Sequence, residues 1–560
     1  MRLLGRRANR LSLRIFTFLI VSFSGYAYSA KFAGIVSSAT PEASRIGADV
    51  LRDGGNAIDA AVATSLALTV SEPAGSGIGG QTVMLVKLAN QPPFVIHGTT
   101  WSPRTIPDGV EKNQLRLGRT ASTVPSTLKV LSLAHEQFGS QQLSWSRLVL
   151  PAAKLARNGV SIGSFRHLSF RNYSEDLSAQ QEAAEIFLKR DGSIYQIGDT
   201  LKQPKLAKTL ERIAKVGAED FYSGRIAREI ARDMERNGGW IRLEDLTEFP
   251  EPKIIEPLSI DYRGHEISTL PPPFGGWVVL QALRLLEAQV EAESESLLAD
   301  NGSQRRAALI KALSIAHQQR RTNPVPSFID YDEDVQSKIS TATAEQLLAD
   351  FNNKTRLLLE NPETGGETTH FTVADAEGNV VSVTQSIDSY FGAKVVHPKL
   401  GFLYNNYMQS FRLEDDGSPF VLKEKEMPLS SMSATIVSRN GNPVLALGSP
   451  GSARIISAVV QVTSYWLDVE PNIEAAVAAF RVHALPPKRA YVEGPIVTNQ
   501  LLTSLGAMDL DLIRPVFGVS DNHLDPYFGG VHGLAVEDGR WQGAADPRRD
   551  GLVVFAYLRD

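Results

Sequence analysis

The 560-residue chain contains no cysteine. That absence excludes disulfides, thiolate metal sites and a cysteine nucleophile, which leaves Ser, Thr, Lys or a carboxylate for nucleophilic chemistry. Net charge is small: 57 basic against 62 acidic residues give −5, with a pI near 6.1. Nothing in that balance favours nucleic acid or an anionic membrane as partner. After residue 30 no apolar run approaches the roughly 20 residues of a membrane span, and no internal repeat is present. No clustered ligand set for a metal and no cofactor motif stands out. The stretch Glu72-Pro73-Ala74-Gly75-Ser76-Gly77-Ile78-Gly79-Gly80 is rich in glycine but is not a phosphate loop. It follows a helical segment and opens a strand, the reverse order, and lacks the Gly-Lys-Ser/Thr ending. Its expected role is close packing of backbone on backbone.

What is present begins with a three-part leader. Arg2, Arg6, Arg7, Arg10 and Arg14 precede the apolar run Ile15-Phe16-Thr17-Phe18-Leu19-Ile20-Val21-Ser22-Phe23, and small residues lead to Ala27-Tyr28-Ser29. This is the pattern of an export signal over residues 1–29, with an uncleaved anchor as the other reading, and it sets a periplasmic or secreted location as the expectation. Gly34-Ile35-Val36-Ser37-Ser38 then reads as a strand. Thr40-Pro41-Glu42 supplies N-cap, first-turn Pro and first-turn acid of a helix stopped by Asp53-Gly54-Gly55-Asn56. The Ala-rich segment from Ala57 to Leu68 is apolar nearly all round, a buried helix. Residues 126–236 are mostly helical in pattern; His135 and His167 stand alone there and read as core or surface residues rather than metal ligands. Residues 352–366, rich in Asn, Pro, Glu and Gly, form an exposed linker.

The linker feeds a hairpin. Phe371-Thr372-Val373 and Val380-Val381-Ser382-Val383-Thr384 flank the turn Asp375-Ala376-Glu377-Gly378-Asn379. Counting outward from Glu377 sets Ser386 opposite Thr368, give or take a residue, with Cβ atoms about 5 Å apart. By themselves two facing hydroxyls are as compatible with an ordinary strand pair as with a catalytic one. Short strands and two helices follow, and strands return at the C-terminus, a pattern of stacked sheet and helix layers.

Taken in order, several segments resemble the gamma-glutamyltransferase family of N-terminal nucleophile hydrolases, over nearly the whole chain after the leader. They are Val36-Ser37-Ser38, Gly54-Gly55-Asn56-Ala57-Ile58-Asp59-Ala60-Ala61, Gly77-Ile78-Gly79-Gly80, Thr368-Thr369-His370, Gly378-Asn379, Leu429-Ser430-Ser431-Met432-Ser433, Gly448-Ser449-Pro450-Gly451 and Asp546-Pro547-Arg548. The resemblance implies an α/β fold, a four-layer αββα sandwich with a helix-rich first half. It implies a precursor cut before Thr368 into a large subunit, 30–367, and a small one, 368–560. Thr368 would be nucleophile and, through its freed α-amino group, base; Ser386 would orient it; the N–H groups of Gly451 and Ser452 would form the oxyanion hole. The family needs no metal or cofactor, and its partner is a small-molecule amide.

The substrate-holding positions depart from the family pattern. An Arg from the first half is replaced by Thr99, an Asn by Asp388, and a Gln and an Asp by Tyr407 and Ser410; only Ser430 and Ser431 are unchanged. A Thr cannot substitute for an Arg–carboxylate fork. Residues 412–427 are also too few for the lid of some members, which implies an open cleft. The expectation is an exported, self-processing hydrolase of a gamma-glutamyl or related acyl amide, favouring hydrolysis over transfer. The alternative is a non-catalytic exported binding protein that keeps the fold.

Overall fold

A computed structural model describes residues 31–558 except 295–296, 300, 326–331, 354–365, 416, 487–488, 496, 509, 516 and 519–521. The expected leader and most of the expected linker lie outside the described residues. Two antiparallel sheets of seven and six strands form the centre. In chain order their strands are β1 (Phe32–Ser38), β2 (Gln81–Lys87), β3 (Phe94–His97), β4 (Lys253–Ile255), β5 (Leu258–Tyr262), β6 (His265–Thr269), β7 (Thr369–Asp375), β8 (Val380–Ser386), β9 (Thr435–Arg439), β10 (Asn442–Gly448), β11 (His532–Glu537), β12 (Arg540–Ala545) and β13 (Leu552–Tyr557). The first sheet runs β13-β1-β7-β8-β2-β3-β4 and the second β12-β11-β10-β9-β6-β5.

Alternation along the strands explains the layering. Ile35, Leu85, Ala374 and Val380 turn inward to meet Ile436, Ala446 and Leu534 of the second sheet. Their neighbours Val36, Val86, Val373 and Val381 turn outward into a core shared with helices α1 (Pro41–Arg52), α2 (Ala57–Ser71) and α3 (Thr127–Phe138). The second sheet's outer face is covered in the same way by α4 (Gly276–Ala292), α5 (Ser303–Thr322), α6 (Arg454–Asp468) and α7 (Ile473–Ala478). The result is helix, sheet, sheet, helix, the αββα sandwich.

Local signals account for the first two helices. The Thr40 side chain accepts from Ala43 N at 3.4 Å with Pro41 in the first turn, and Asn56 and Asp59 form a reciprocal capping box. Helix α2 is buried along its whole length. Among the described residues no helix is long and apolar enough to cross a membrane. Phe402-Leu403-Tyr404, expected from its residues to be a short strand, pairs back with residues 393–397 through an isolated bridge from Leu403 to Val396 and joins neither sheet.

Candidate active site

The site is built on the β7–β8 hairpin. Asp375 fixes the turn: its Oδ1 accepts from Glu377 N and Asn379 N, both at 3.0 Å, while Oδ2 accepts from Asn379 Nδ2 at 2.8 Å and from Ala57 N, at the start of α2, at 2.9 Å. Register then follows, from Val380 opposite Ala374 to Gln385 opposite Thr369. One step further sets Ser386 opposite Thr368, as counting from Glu377 requires. Even-numbered residues of both strands face the second sheet, so the two hydroxyls share a face; a slip by one residue would separate them.

Their contacts form a directed chain. Thr368 Oγ1 donates to Ser386 Oγ at 3.1 Å, and Ser386 Oγ donates to the Glu367 carbonyl oxygen at 2.8 Å. Asp388 N donates to Ser386 Oγ at 2.8 Å, which fixes the hydroxyl's direction. Ser386 is fully buried and Thr368 is 5% exposed. At the Glu367–Thr368 bond, Glu367 N donates to Asp388 O at 2.6 Å, and the Glu367 carbonyl is polarised by the Ser386 hydroxyl.

The glycine-rich loop closes on this spot. A Cβ on Gly80 would sit 2.1 Å from the Ser386 carbonyl oxygen, and one on Gly75 would sit 2.8 Å from that of Thr368. These close approaches bear out the packing role expected of the loop. His135 and His167 are likewise structural: the Nδ1 of His135 lies 3.0 Å from Asp59 Oδ1, and that of His167 lies 2.8 Å from the Tyr195 carbonyl. Among the described residues no group of acids and histidines could hold a metal.

Beside Thr368 lies a cavity of about 320 Å³ whose walls include Asp388, Tyr407, Ser410, Ser430, Ser431 and Ser452. Asp388 has φ 79° and accepts from Gln409 Nε2 at 2.6 Å. Burial pushes its carboxyl up to about 6, against the opposing pull of Gln409 and of Lys394. The Tyr407 hydroxyl interacts with Ser386, Gln81 and Ser430, and burial drives its pKa upward. Ser452 adopts φ 56° after Gly451 at φ 120°, so serine holds a backbone shape that favours glycine. Gly366 packs against it: a Cβ there would lie 2.8 Å from Ser452 Cβ. Arg412, Ser418 and Phe420 form part of the cavity wall, tied by Arg412 N to Phe420 O at 2.9 Å and Leu422 N to Arg412 O at 2.8 Å.

Gly451 is not itself on the cavity wall but precedes Ser452, which is, whereas Thr99 is not brought to this group. It is buried away from the cavity wall, its Oγ1 donating to Gln81 Oε1 at 3.2 Å. Gln81, whose Nε2 lies 3.5 Å from Ser430 Oγ, connects it to the cavity. Conversely, Lys112, Arg320, Arg321, Gln409 and Arg412 line the cavity without any sequence signal pointing there. Arg320 and Arg321 lie in the last turn of a helix, a common place for basic residues, so their position along the chain marks no site. A second unforeseen group holds Glu367. Arg549 clasps its carboxylate at 2.7 and 3.2 Å and lies 3.8 Å from Glu72, whose other oxygen accepts from Thr369 Oγ1. Burial pushes Glu72 up to about 8, opposed chiefly by Arg549.

Comparison with known proteins extends over the same length of chain. The profile of the gamma-glutamyltranspeptidase family matches residues 43–556. The glutathione hydrolase proenzyme of Bacillus subtilis (strain 168) is 33% identical, over 94% of this chain and 92% of its own. Its namesake from Escherichia coli (strain K12) is 31% identical over 80% of each. Among solved structures, cephalosporin acylase from Bacillus halodurans superposes with a TM-score of 0.82, over 96% of this chain and 100% of that one, at 24% identity, a likeness of fold. Helicobacter pylori gamma-glutamyltranspeptidase gives a TM-score of 0.51 at 31% identity, over 56% of this chain and 90% of that one.

Proposed function

Because the chain belongs to the gamma-glutamyltranspeptidase family, we propose that it is an amide hydrolase that first cuts its own Glu367–Thr368 bond and then uses Thr368 as an N-terminal nucleophile. The observation that carries this is the chain Thr368 Oγ1 to Ser386 Oγ to the Glu367 carbonyl. The relatives' name, proenzyme, supports a processed precursor. In the first step Thr368 Oγ bonds to the Glu367 carbonyl carbon. Its proton passes to Ser386 Oγ, and the proton of Ser386 goes to the Glu367 oxygen. Collapse breaks the C–N bond, returns that proton to nitrogen and leaves an ester on Thr368 Oγ. Water then splits the ester into a Glu367 carboxylate and the Thr368 hydroxyl, and the amine set free when the C–N bond broke remains as the new N-terminus.

That amine, with an unperturbed pKa of about 7.7–8.0, then takes the Thr368 hydroxyl proton as Oγ attacks a substrate amide. The oxyanion faces the N–H groups of Gly451 and Ser452, the proton moves to the leaving amine, and water releases the acyl group. Asp388, Tyr407, Ser410, Ser430 and Ser431 hold the acyl side, with Thr99 acting only through Gln81. Hydrolysis is favoured over transfer, with no metal or cofactor. Residues 1–29 serve as an export leader, giving a periplasmic or secreted protein of two subunits, 30–367 and 368–560.

A denaturing gel with N-terminal sequencing tests the reading. It predicts two fragments, the smaller beginning at Thr368. A single intact wild-type chain would overturn it and leave a non-catalytic exported binding protein.

A further inference from the structure

A buried guanidinium is ordinarily paired, because leaving a charge unpaired out of water is costly. Arg320 breaks that rule. Among the described residues its guanidinium has no ion-pair partner, and its Nε is buried without a hydrogen bond. Burial alone brings its pKa down to about 10, with no acid opposing the shift. Its neighbour Arg321 also lacks an ion pair among the described residues, and the charge acting on it is another cation, Arg412, whose Nη2 reaches the Arg321 carbonyl at 3.4 Å. Lys112 adds a further positive charge, its Nζ held by the carbonyls of Gln409 and Phe411 at 3.0 and 2.7 Å.

All four cations line the cavity beside Thr368, and among the described lining residues the only acid is Asp388, already engaged by Gln409. The negative end of helix α5 eases two of these charges but supplies no hydrogen-bonded counterion. A folded chain that places the Arg320 and Arg321 guanidiniums, without an ion pair among the described residues, beside its reactive hydroxyl has a site waiting for an anion.

We propose that the substrate carries a carboxylate or similar oxyanion away from the scissile amide, and that Arg320, with Arg321 beside it, pairs with that group. This rests on the amide-hydrolase reading and deepens it. It replaces the charge that Thr99 cannot supply with one from the opposite sheet's helix layer. The anion belongs either to the acyl half or to the amine half of the substrate, and both halves reach the same cavity.

The test compares three chromogenic amides: butyryl-4-nitroanilide, which is neutral; glutaryl-4-nitroanilide, anionic on the acyl half; and butyryl-3-carboxy-4-nitroanilide, anionic on the amine half. One carboxylated amide should exceed the neutral one in kcat/KM by about tenfold to a hundredfold, the worth of a charge-assisted pair. Arg320→Met should collapse that ratio toward one, while Arg320→Lys keeps part of it; added salt should shrink it in the wild type. The arm that shows the advantage identifies the half that bears the charge. A neutral amide hydrolysed as well as both others, or a ratio unmoved in Arg320→Met, overturns the proposal while leaving the hydrolase reading in place.

A second readout needs no turnover: thermal stabilisation by glutarate and by 3-carboxy-4-nitroaniline, measured on Thr368→Ala with and without Arg320→Met. Stabilisation that disappears with Arg320→Met supports the anion site even if all three amides are inert. No stabilisation by either compound in that case overturns it. Arg320→Met should itself fold and melt higher without ligand, because it removes an unpaired buried charge.

Discussion

Ser386→Ala is the substitution whose consequences the geometry specifies most fully. The Ser386 hydroxyl accepts from Thr368 Oγ1 at 3.1 Å and from Asp388 N at 2.8 Å, and donates to the Glu367 carbonyl at 2.8 Å. Removing it takes away the donor poised on the oxygen where negative charge develops during self-cleavage, a loss of roughly 10²–10³ in rate by analogy with a single oxyanion-hole donor. It also strands the buried Asp388 N–H, at a stability cost of about 1–3 kcal/mol. The variant should therefore accumulate as folded precursor. Ser386→Thr keeps the hydroxyl and should process at a rate near the wild type's. The assay follows the precursor band on a denaturing gel after expression is stopped, with circular dichroism to show that the chain is folded. Precursor half-lives for Ser386→Ala within about tenfold of the wild type would refute the proton path through Ser386, since that falls short of the loss expected from one such donor.

Three other outcomes follow from particular contacts. Arg549→Met leaves the buried carboxylates of Glu367 and Glu72 without their shared cation, and chemical denaturation should show a loss of about 3–5 kcal/mol, together with slower processing. Asp388→Asn should stabilise the chain at pH 7 but not below pH 4. Burial raises the folded carboxyl from 3.8 to about 6, so between those values the folded state keeps a proton that the unfolded chain releases, and wild-type stability falls as pH rises through that window; melting curves of both proteins against pH check the sign. Ser452→Gly removes a left-handed serine at φ 56° and should gain roughly 1 kcal/mol while still processing, measured by melting and by gel.

The hairpin was readable because its turn is local. Once Asp375 and Gly378 mark the turn, the register is arithmetic, and Thr368 and Ser386 meet as counted. The glycine loop was readable for a related reason, since only missing side chains let it approach the carbonyls of Ser386 and Thr368. Strands β5, β6 and β12 were harder. They are short, carry Asp261, Glu266 and Arg540 on exposed positions and His265 on a partly exposed one, and β5 and β12 lie at the edges of their sheet. The cavity walls were beyond reach for another reason. Arg320 is close to Thr368 only because α5 covers the second sheet, and no spacing in the sequence records that packing. Thr99 illustrates the converse: matching position along the chain suggested a substrate contact, whereas its hydroxyl is turned to Gln81.

The account depends most on Thr368 being cut free from Glu367 by its own hydroxyl. Intact mass measurement of purified wild type and Thr368→Ala, without reducing agent or added protease, tests this most directly. The account predicts two wild-type polypeptides, the smaller with the mass of residues 368–560, and one unbroken chain for the variant. A wild-type chain that stays whole, or a Thr368→Ala chain cleaved at the same bond, would contradict it.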